Sequence, residues 1–280
     1  MTAKDIIPEL LDFELELKLP AKPKRSIVLG PNIAADPMTL VSDLLPRIQS
    51  ELNAVLGQSQ IVNGRHSEDD AGLEMIRECA ERAIGFIQQS RLLLQIECGQ
   101  YQIKYEPLSL AIMLDLLEAI TRPLAEAKGL TCRIHKDEGL PDSVYTCGRA
   151  LRYCLLQLRE NAIRFTDKGE VDLHISHHEK QSKAYLCFTV SNSALGIEEN
   201  DKHAVFQPFF QVNPNGQDGS GLGLTLTERL ADKLYGRLSL DSRPVRGTAI
   251  TLEIPVGHDP ADQSPSEKRK NSLRAPNKMA

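Results

Sequence analysis

Three glycines in the stretch "DGSGLGL" (218–224), at positions 219, 221 and 223, stand directly before a segment with helical spacing, "TLTERLADKLYG". Glycines at alternate positions let backbone N–H groups close on an anion, and the positive N-terminal end of the following helix points the same way. The spacing lacks the GxxxxGK[ST] of a P-loop. The same glycines would equally serve a tight loop cap, and the motif alone leaves both readings open. A second stretch, "LLQLRENAIRFTDKG" (155–169), puts Gln157, Asn161 and Arg164 on one helix face at i, i+4, i+7 spacing. With Leu155, Leu158 and Ala162 packed elsewhere, that face reads as a ligand surface. A third, "VSNSALGIEEN" (190–200), ends a strand in a glycine turn carrying Asn192 and Gly196, as an adenine-binding loop would. "VFQPFFQV" (205–212) lies just before the glycine loop.

The elements that must position these residues follow from periodicity. In residues 36–62, Val41, Leu45, Ile48, Leu52 and Val55 step by 4, 3, 4, 3, a heptad seam, with Asp36-Pro37 as a helix start. After the turn "NGRHSEDD", a second seam runs through Leu73, Ile76, Ala80, Ala83, Ile87, Ser90 and Leu94. Two such helices form an antiparallel hairpin, and two hairpins pair as a dimeric four-helix bundle. Beyond Gly99, "YQIKYEP", "LTCRIH", "GEVDLHISHH", "AYLCFTVSNS", "GRLSLDS" and "GTAITLEIPV" read as strands. Helices are expected over "LSLAIMLDLLEAITRPLAEAKG", "GRALRYCLLQLRENAIRFT" and 222–235. The expected fold class is α+β, a helical hairpin followed by a two-layer α/β sandwich with a mixed sheet. The domains are an N-terminal extension and linker (1–35), the dimerisation hairpin (36–97), the α/β domain (98–257) and a disordered Pro-, Ser- and charge-rich tail (258–280).

Composition excludes several classes. The net charge of −5 offers no electrostatic footprint for nucleic acid. No apolar run approaches the ~18 residues of a membrane span, and the acidic first twenty residues lack the pattern of a signal peptide. The six cysteines form no CxxC pair and read as small buried hydrophobes in a reducing cytoplasm.

Taken together and in this order, the asparagine helix, the glycine turn, "FQPFF" and "GSGLGL" resemble the ATP-binding domain of two-component sensor histidine kinases. This is the Bergerat (GHKL) fold shared with gyrase, mismatch-repair ATPases and one class of heat-shock chaperones. The resemblance covers roughly residues 36–256, including the junction "SRLLLQIECGQYQIKYEPLSL". It implies ATP and Mg²⁺ as cofactors. Asn161 matches the asparagine that coordinates Mg²⁺ between the phosphates, and an amide oxygen suits that hard ion. Arg164 matches a basic position facing the phosphates. Phe206, Phe209 and Phe210 match the aromatic anchor of a mobile ATP lid, here 207–220. Gly219, Gly221 and Gly223, with Leu222 between them, match the triphosphate loop, and Thr248 matches a threonine at the pocket floor.

Two departures stand out. Asn192 occupies a position where the family usually has an aspartate that accepts from the adenine amino group. Loss of charge assistance there costs on the order of 1 kcal/mol, so restoring aspartate is expected to tighten binding about tenfold. Ala194 replaces a glycine of the same turn, at roughly another 1 kcal/mol if the site needs positive φ. Weakened rather than abolished nucleotide binding is expected. The second departure is the phosphoacceptor. The family's first hairpin helix carries "HExRTPLNAxLG"; here "LNAVLG" (52–57) fixes the register, and "PRIQSELNAVLG" puts Pro46 at the histidine position and Glu51 at the proline. Proline has neither a nucleophile nor an N–H. His66 lies in the hairpin turn, about twenty residues and roughly 30 Å along a helix from position 46. His135, His174, His177, His178 and His203 fall in the α/β domain and His258 beyond it. His174 and His178 share a strand face without an evident third metal ligand, and all read as ordinary histidines.

The expected protein is therefore a cytoplasmic homodimer that binds ATP, lacks its own phosphoacceptor and acts through a response regulator or partner histidine kinase. The alternatives are an active kinase in trans on a partner histidine and a non-enzymatic adaptor. A gyrase-like ATPase needs a glutamate one turn before the asparagine; Gln157 stands there and is no base.

Overall fold

The computed structural model describes residues 48, 55, 70–180, 183–212, 219–243 and 247–256. The chain divides into two units, Met1–Tyr101 and Gln102–Ala280.

In the first unit, α1 (Asp70–Glu97) is 28 residues long, or about 42 Å at 1.5 Å per residue. Its buried stripe is Cys79, Ala83, Phe86, Ser90 and Leu93, stepping by 4, 3, 4, 3. The Ser90 hydroxyl is satisfied inside the stripe by donating to the Phe86 carbonyl at 2.7 Å. This stripe shares Ala83 and Ser90 with the seam expected from sequence but not Ile87, which with Ile84 stays 40% and 56% exposed. Turning Phe86 and Leu93 inward leaves the neighbouring seam positions Ile87 and Leu94 off the buried stripe. A Schellman motif ends α1: Gly99, at φ 69°, donates to the Ile96 carbonyl and Gln100 to that of Gln95. Ile48 and Val55 have helical backbone and are half-buried. The remainder of the first expected helix, including Pro46, the turn with His66, and the segments 1–35 and 258–280 with His258, lie outside the described residues.

The second unit is a two-layer sandwich. Its main sheet has the order β2 (Thr131–Lys136), β4 (Glu170–Lys180), β5 (Lys183–Asn192), β7 (Gly247–Val256), β6 (Arg237–Arg243). Only β2 and β4 run parallel; the other neighbours are antiparallel. One face is apolar at period two: Val171, Leu173 and Ile175, then Leu186, Phe188 and Val190, then Ile250, Leu252 and Ile254, all buried. The opposite face carries His174, Ser176 and His178 beside Tyr185, Cys187 and Thr189, then Thr251 and Glu253. A separate ladder joins β1 (Glu106–Ser109) to β3 (Ser143–Thr146). The strand expected over "YQIKYEP" thus begins only at Glu106, because β3 offers four residues to pair with.

Three helices form the second layer: α2 (Leu110–Ala127), α3 (Gly148–Phe165) and α4 (Gly223–Lys233). α3 packs against both others. It buries Ala150, Leu151, Cys154, Leu155, Leu158 and Ala162, while Leu222, Leu226 and Leu230 do the same along α4. Each such leucine contributes about 1.5 to 3 kcal/mol of transfer free energy. This packing fixes α3 and α4 side by side, and their unburied faces carry the glycine loop and the polar row. No described helix is long and apolar enough to cross a membrane.

Candidate functional site

The polar row of α3 meets the glycine loop. A Cβ placed on Gly223 would stand 2.6 Å from Gln157 Oε1 and 3.8 Å from Asn161 Nδ2, and one on Gly219 would stand 2.5 Å from Arg164 Nη1. Residues some 60 positions apart in the sequence are thus brought close together. Side chains at 219 and 223 would fill the space between loop and helix. The start of α4 strengthens the site's anion character: its N-cap, Leu222, makes no side-chain cap hydrogen bond, so the first-turn N–H groups and the helix dipole face the loop. Ser220 Oγ accepts the Leu222 N–H at 3.0 Å and shapes the turn. An amide, a guanidinium and an uncapped helix start are a donor set that fits a polyphosphate and its cation.

The segment before the glycine loop closes onto it. Phe209 N–H donates to the Gly221 carbonyl at 2.9 Å, and Gln211 Nε2 to the Gly219 carbonyl at 2.6 Å. Phe209 takes φ 67°, and Gly221 takes φ 71° with no room for a Cβ against the Phe209 backbone. A non-glycine residue in left-handed backbone costs about 1 to 2 kcal/mol, and the paired hydrogen bonds hold it there. Residues 213–218 of the expected lid lie outside the described residues.

A second cluster sits where β5 ends. Asn192 Oδ1 accepts the Thr248 N–H at 3.1 Å, and Asn192 Nδ2 donates to the Ala162 carbonyl at 3.2 Å. A backbone N–H only donates and a carbonyl only accepts, so the amide has one orientation. Thr248 Oγ1 lies 2.8 Å from Ser242 Oγ, which also accepts the Ile197 N–H at 2.8 Å. Gly196, next to Ile197, takes φ 82°. Ala194 does not take positive φ, so the backbone cost considered for it does not arise. The α3 end links the clusters: Asn161 points at the glycine loop while the next residue's carbonyl holds Asn192.

Two participants carried no sequence signal of their own. Ser242 is one of several polar residues alternating along β6, and its role depends on cross-strand partners. Glu160, adjacent to Asn161, accepts from Gln157 Nε2 at 3.2 Å. Burial raises its carboxyl above the usual range, with Arg164 opposing.

Comparison with known proteins agrees with this geometry. Residues 147–258 match the family of histidine kinase-, DNA gyrase B-, and HSP90-like ATPases. The autoinducer 2 sensor kinase/phosphatase LuxQ of Vibrio vulnificus is 29% identical over 218 residues, covering 75% of this chain and 25% of that protein. The aerobic respiration control sensor protein ArcB of Escherichia coli is 27% identical over 225 residues, covering 78% and 28%. The chain thus spans about a quarter of the length of these relatives. In fold it is similar to the Acinetobacter baumannii histidine kinase AdeS, with TM-score 0.63 and 18% identity over 76% of this chain and 98% of the other. It is likewise similar to full-length ShkA in complex with AMPPNP, with TM-score 0.58 and 20% identity over 80% and 46%. Residues 147–258, with the asparagine helix facing a glycine loop on this mixed sheet, thus form a histidine kinase-, DNA gyrase B-, and HSP90-like ATPase domain, and the relatives that the chain resembles over three quarters of its length are sensor kinases.

Proposed function

We propose that the chain is a histidine-kinase-like signalling protein that binds Mg·ATP between α3 and the glycine loop, has no phosphoacceptor of its own, and acts through a partner. The observation that carries the reading is the approach of Gly219 and Gly223 to Arg164, Gln157 and Asn161. Asn161 would hold the cation through its amide oxygen, Arg164 and the α4 N-terminus would face the phosphates, and Asn192, Gly196 and Thr248 would line the base end. Phe209 and Gly221 would anchor the lid. Pro46 in the register set by "LNAVLG" removes the acceptor. Homodimerisation through residues 36–97 is supported by the two heptad patterns and by Ile84 and Ile87, exposed on α1. Six free cysteines suit the cytoplasm. Partners would be a response regulator or a histidine kinase with an intact acceptor.

The test is calorimetric titration of Mg·ATP followed by labelling with γ-labelled ATP. Binding to the wild type, lost in Asn161→Ala, with no acid-labile label on the chain itself, is expected. No binding at millimolar nucleotide would leave the adaptor reading. Label transferred to a partner that has an acceptor histidine but a disabled ATP site would make the chain a kinase in trans.

A further inference from the structure

The sheet face turned away from the helices brings together three donors that the sequence scatters over 75 positions. His178 is on β4, Cys187 on β5 and Glu253 on β7. Cys187 stands directly opposite Glu253 in the β5–β7 ladder and opposite Ser176 in the β4–β5 ladder, so His178 is its diagonal neighbour on the same face. His178 Nδ1 lies 3.5 Å from Cys187 Sγ, Cys187 Sγ lies 3.9 Å from Glu253 Oε2, and His178 Nε2 lies 3.5 Å from the same carboxylate oxygen. One ligand atom from each residue falls within 4.8 Å of the other two. The imidazole is held by stacking on Tyr185, with centroids 5.5 Å apart and planes at 11°.

We propose that His178, Cys187 and Glu253 form a binding site for a borderline divalent transition-metal ion of the Zn²⁺ type, on the sheet face opposite the nucleotide loop. Bonds of about 2.0 to 2.3 Å to N, O and S place the donors of a tetrahedral ion roughly 3.3 to 3.8 Å apart, close to the separations found here. The mixture of sulfur, imidazole nitrogen and one carboxylate oxygen favours such ions over Mg²⁺ or Ca²⁺, which take oxygen ligands. Three protein ligands leave one position open for water or a group from a partner. The site does not use the pair that the spacing of "HISHH" brings to mind. His174 and His178 are about 13 Å apart along the strand, and His174 is engaged by Asp137 at 2.7 Å. The second and third donors, Cys187 and Glu253, come from other strands.

The probe is Co²⁺ added to the full chain carrying Cys98→Ser, since Cys98 is the exposed thiol. Thiolate-to-cobalt charge-transfer absorption rising to one equivalent per chain, and displaced by Zn²⁺ but not by Mg²⁺, is expected. Cys187→Ser should abolish the band, while His178→Ala and Glu253→Gln should weaken binding at least about tenfold. Circular dichroism verifies that each variant is folded. His178→Ala and Glu253→Gln change only the half-buried outer face, so at least one reports even if the cysteine variant unfolds. Binding without the charge-transfer band, a band that persists in Cys187→Ser, or affinity unchanged in both other variants would overturn the proposal.

Discussion

Asn192 and Thr248 face each other across the β5–β7 ladder, and the Asn192 side chain adds its own bond to that pairing by accepting the Thr248 N–H at 3.1 Å. The other half of the amide donates to Ala162 on α3. Aspartate would keep the first bond and lose the second, setting a carboxylate against a carbonyl. Asn192→Asp is therefore expected to lower stability by about 1 to 3 kcal/mol, read as the chemical-denaturation midpoint. The tenfold gain in ATP affinity expected from residue chemistry alone should not appear in full, because part of the restored acceptor's benefit is offset by the lost tie to α3.

The glycine loop should separate stability from binding. Gly221→Ala puts a Cβ 2.7 Å from the Phe209 backbone at φ 71°, where nothing flexible gives way. It is expected to destabilise by about 1 to 3 kcal/mol. Gly223→Ala meets the end of the flexible Gln157 side chain, so melting should change little while Mg·ATP affinity falls. Thermal melts and nucleotide titration of the two variants check the contrast.

Arg159 is 1% exposed on α3, and its Nε and Nη1 meet no hydrogen-bond partner among the described residues. Its remaining contact is Nη2 to the Cys132 sulfur. An uncompensated buried cation is costly, and replacing it with an apolar residue of similar length removes that cost. Arg159→Met is expected to raise stability by about 1 to 4 kcal/mol in denaturant titration.

Glu160 gives a pH dependence of defined sign. Burial raises its folded-state pKa above the unfolded value, so between the two values the folded state binds more protons and stability falls as pH rises. The penalty is absent below the unfolded pKa of about 4.3 and complete above the folded one. Glu160→Gln should be more stable than the wild type at pH 7, and the two should converge toward pH 4. A gap of equal size at both pH values would show that the carboxyl charge is not its source.

Ile87 tests the association of the first unit. At 40% exposure on α1, Ile87→Glu costs little within one chain but would bury a charge in a pairing seam. Light scattering should show the proposed dimer split, with the melting of the α/β unit unchanged.

Periodicity and motif alone determined much of this protein. The 3.6-residue period put Gln157, Asn161 and Arg164 on one face, and the period of two identified the strands of the main sheet. The order of short motifs carried the family. These features are local: each depends on residues within a turn or two of one another, or on a stretch short enough to read whole. Other features depended on which residues meet across elements. The Asn192 amide is held by Thr248 and Ala162, 56 and 30 positions away. Ser242 acquires its role from Ile197 and Thr248, and α1 turns Phe86 rather than Ile87 inward. His178, Cys187 and Glu253 converge because β5 pairs with both β4 and β7 in one register. A shift of one residue in either ladder would send a donor to the opposite face, and that register is set by the burial of whole strands against the helices rather than by any single stretch.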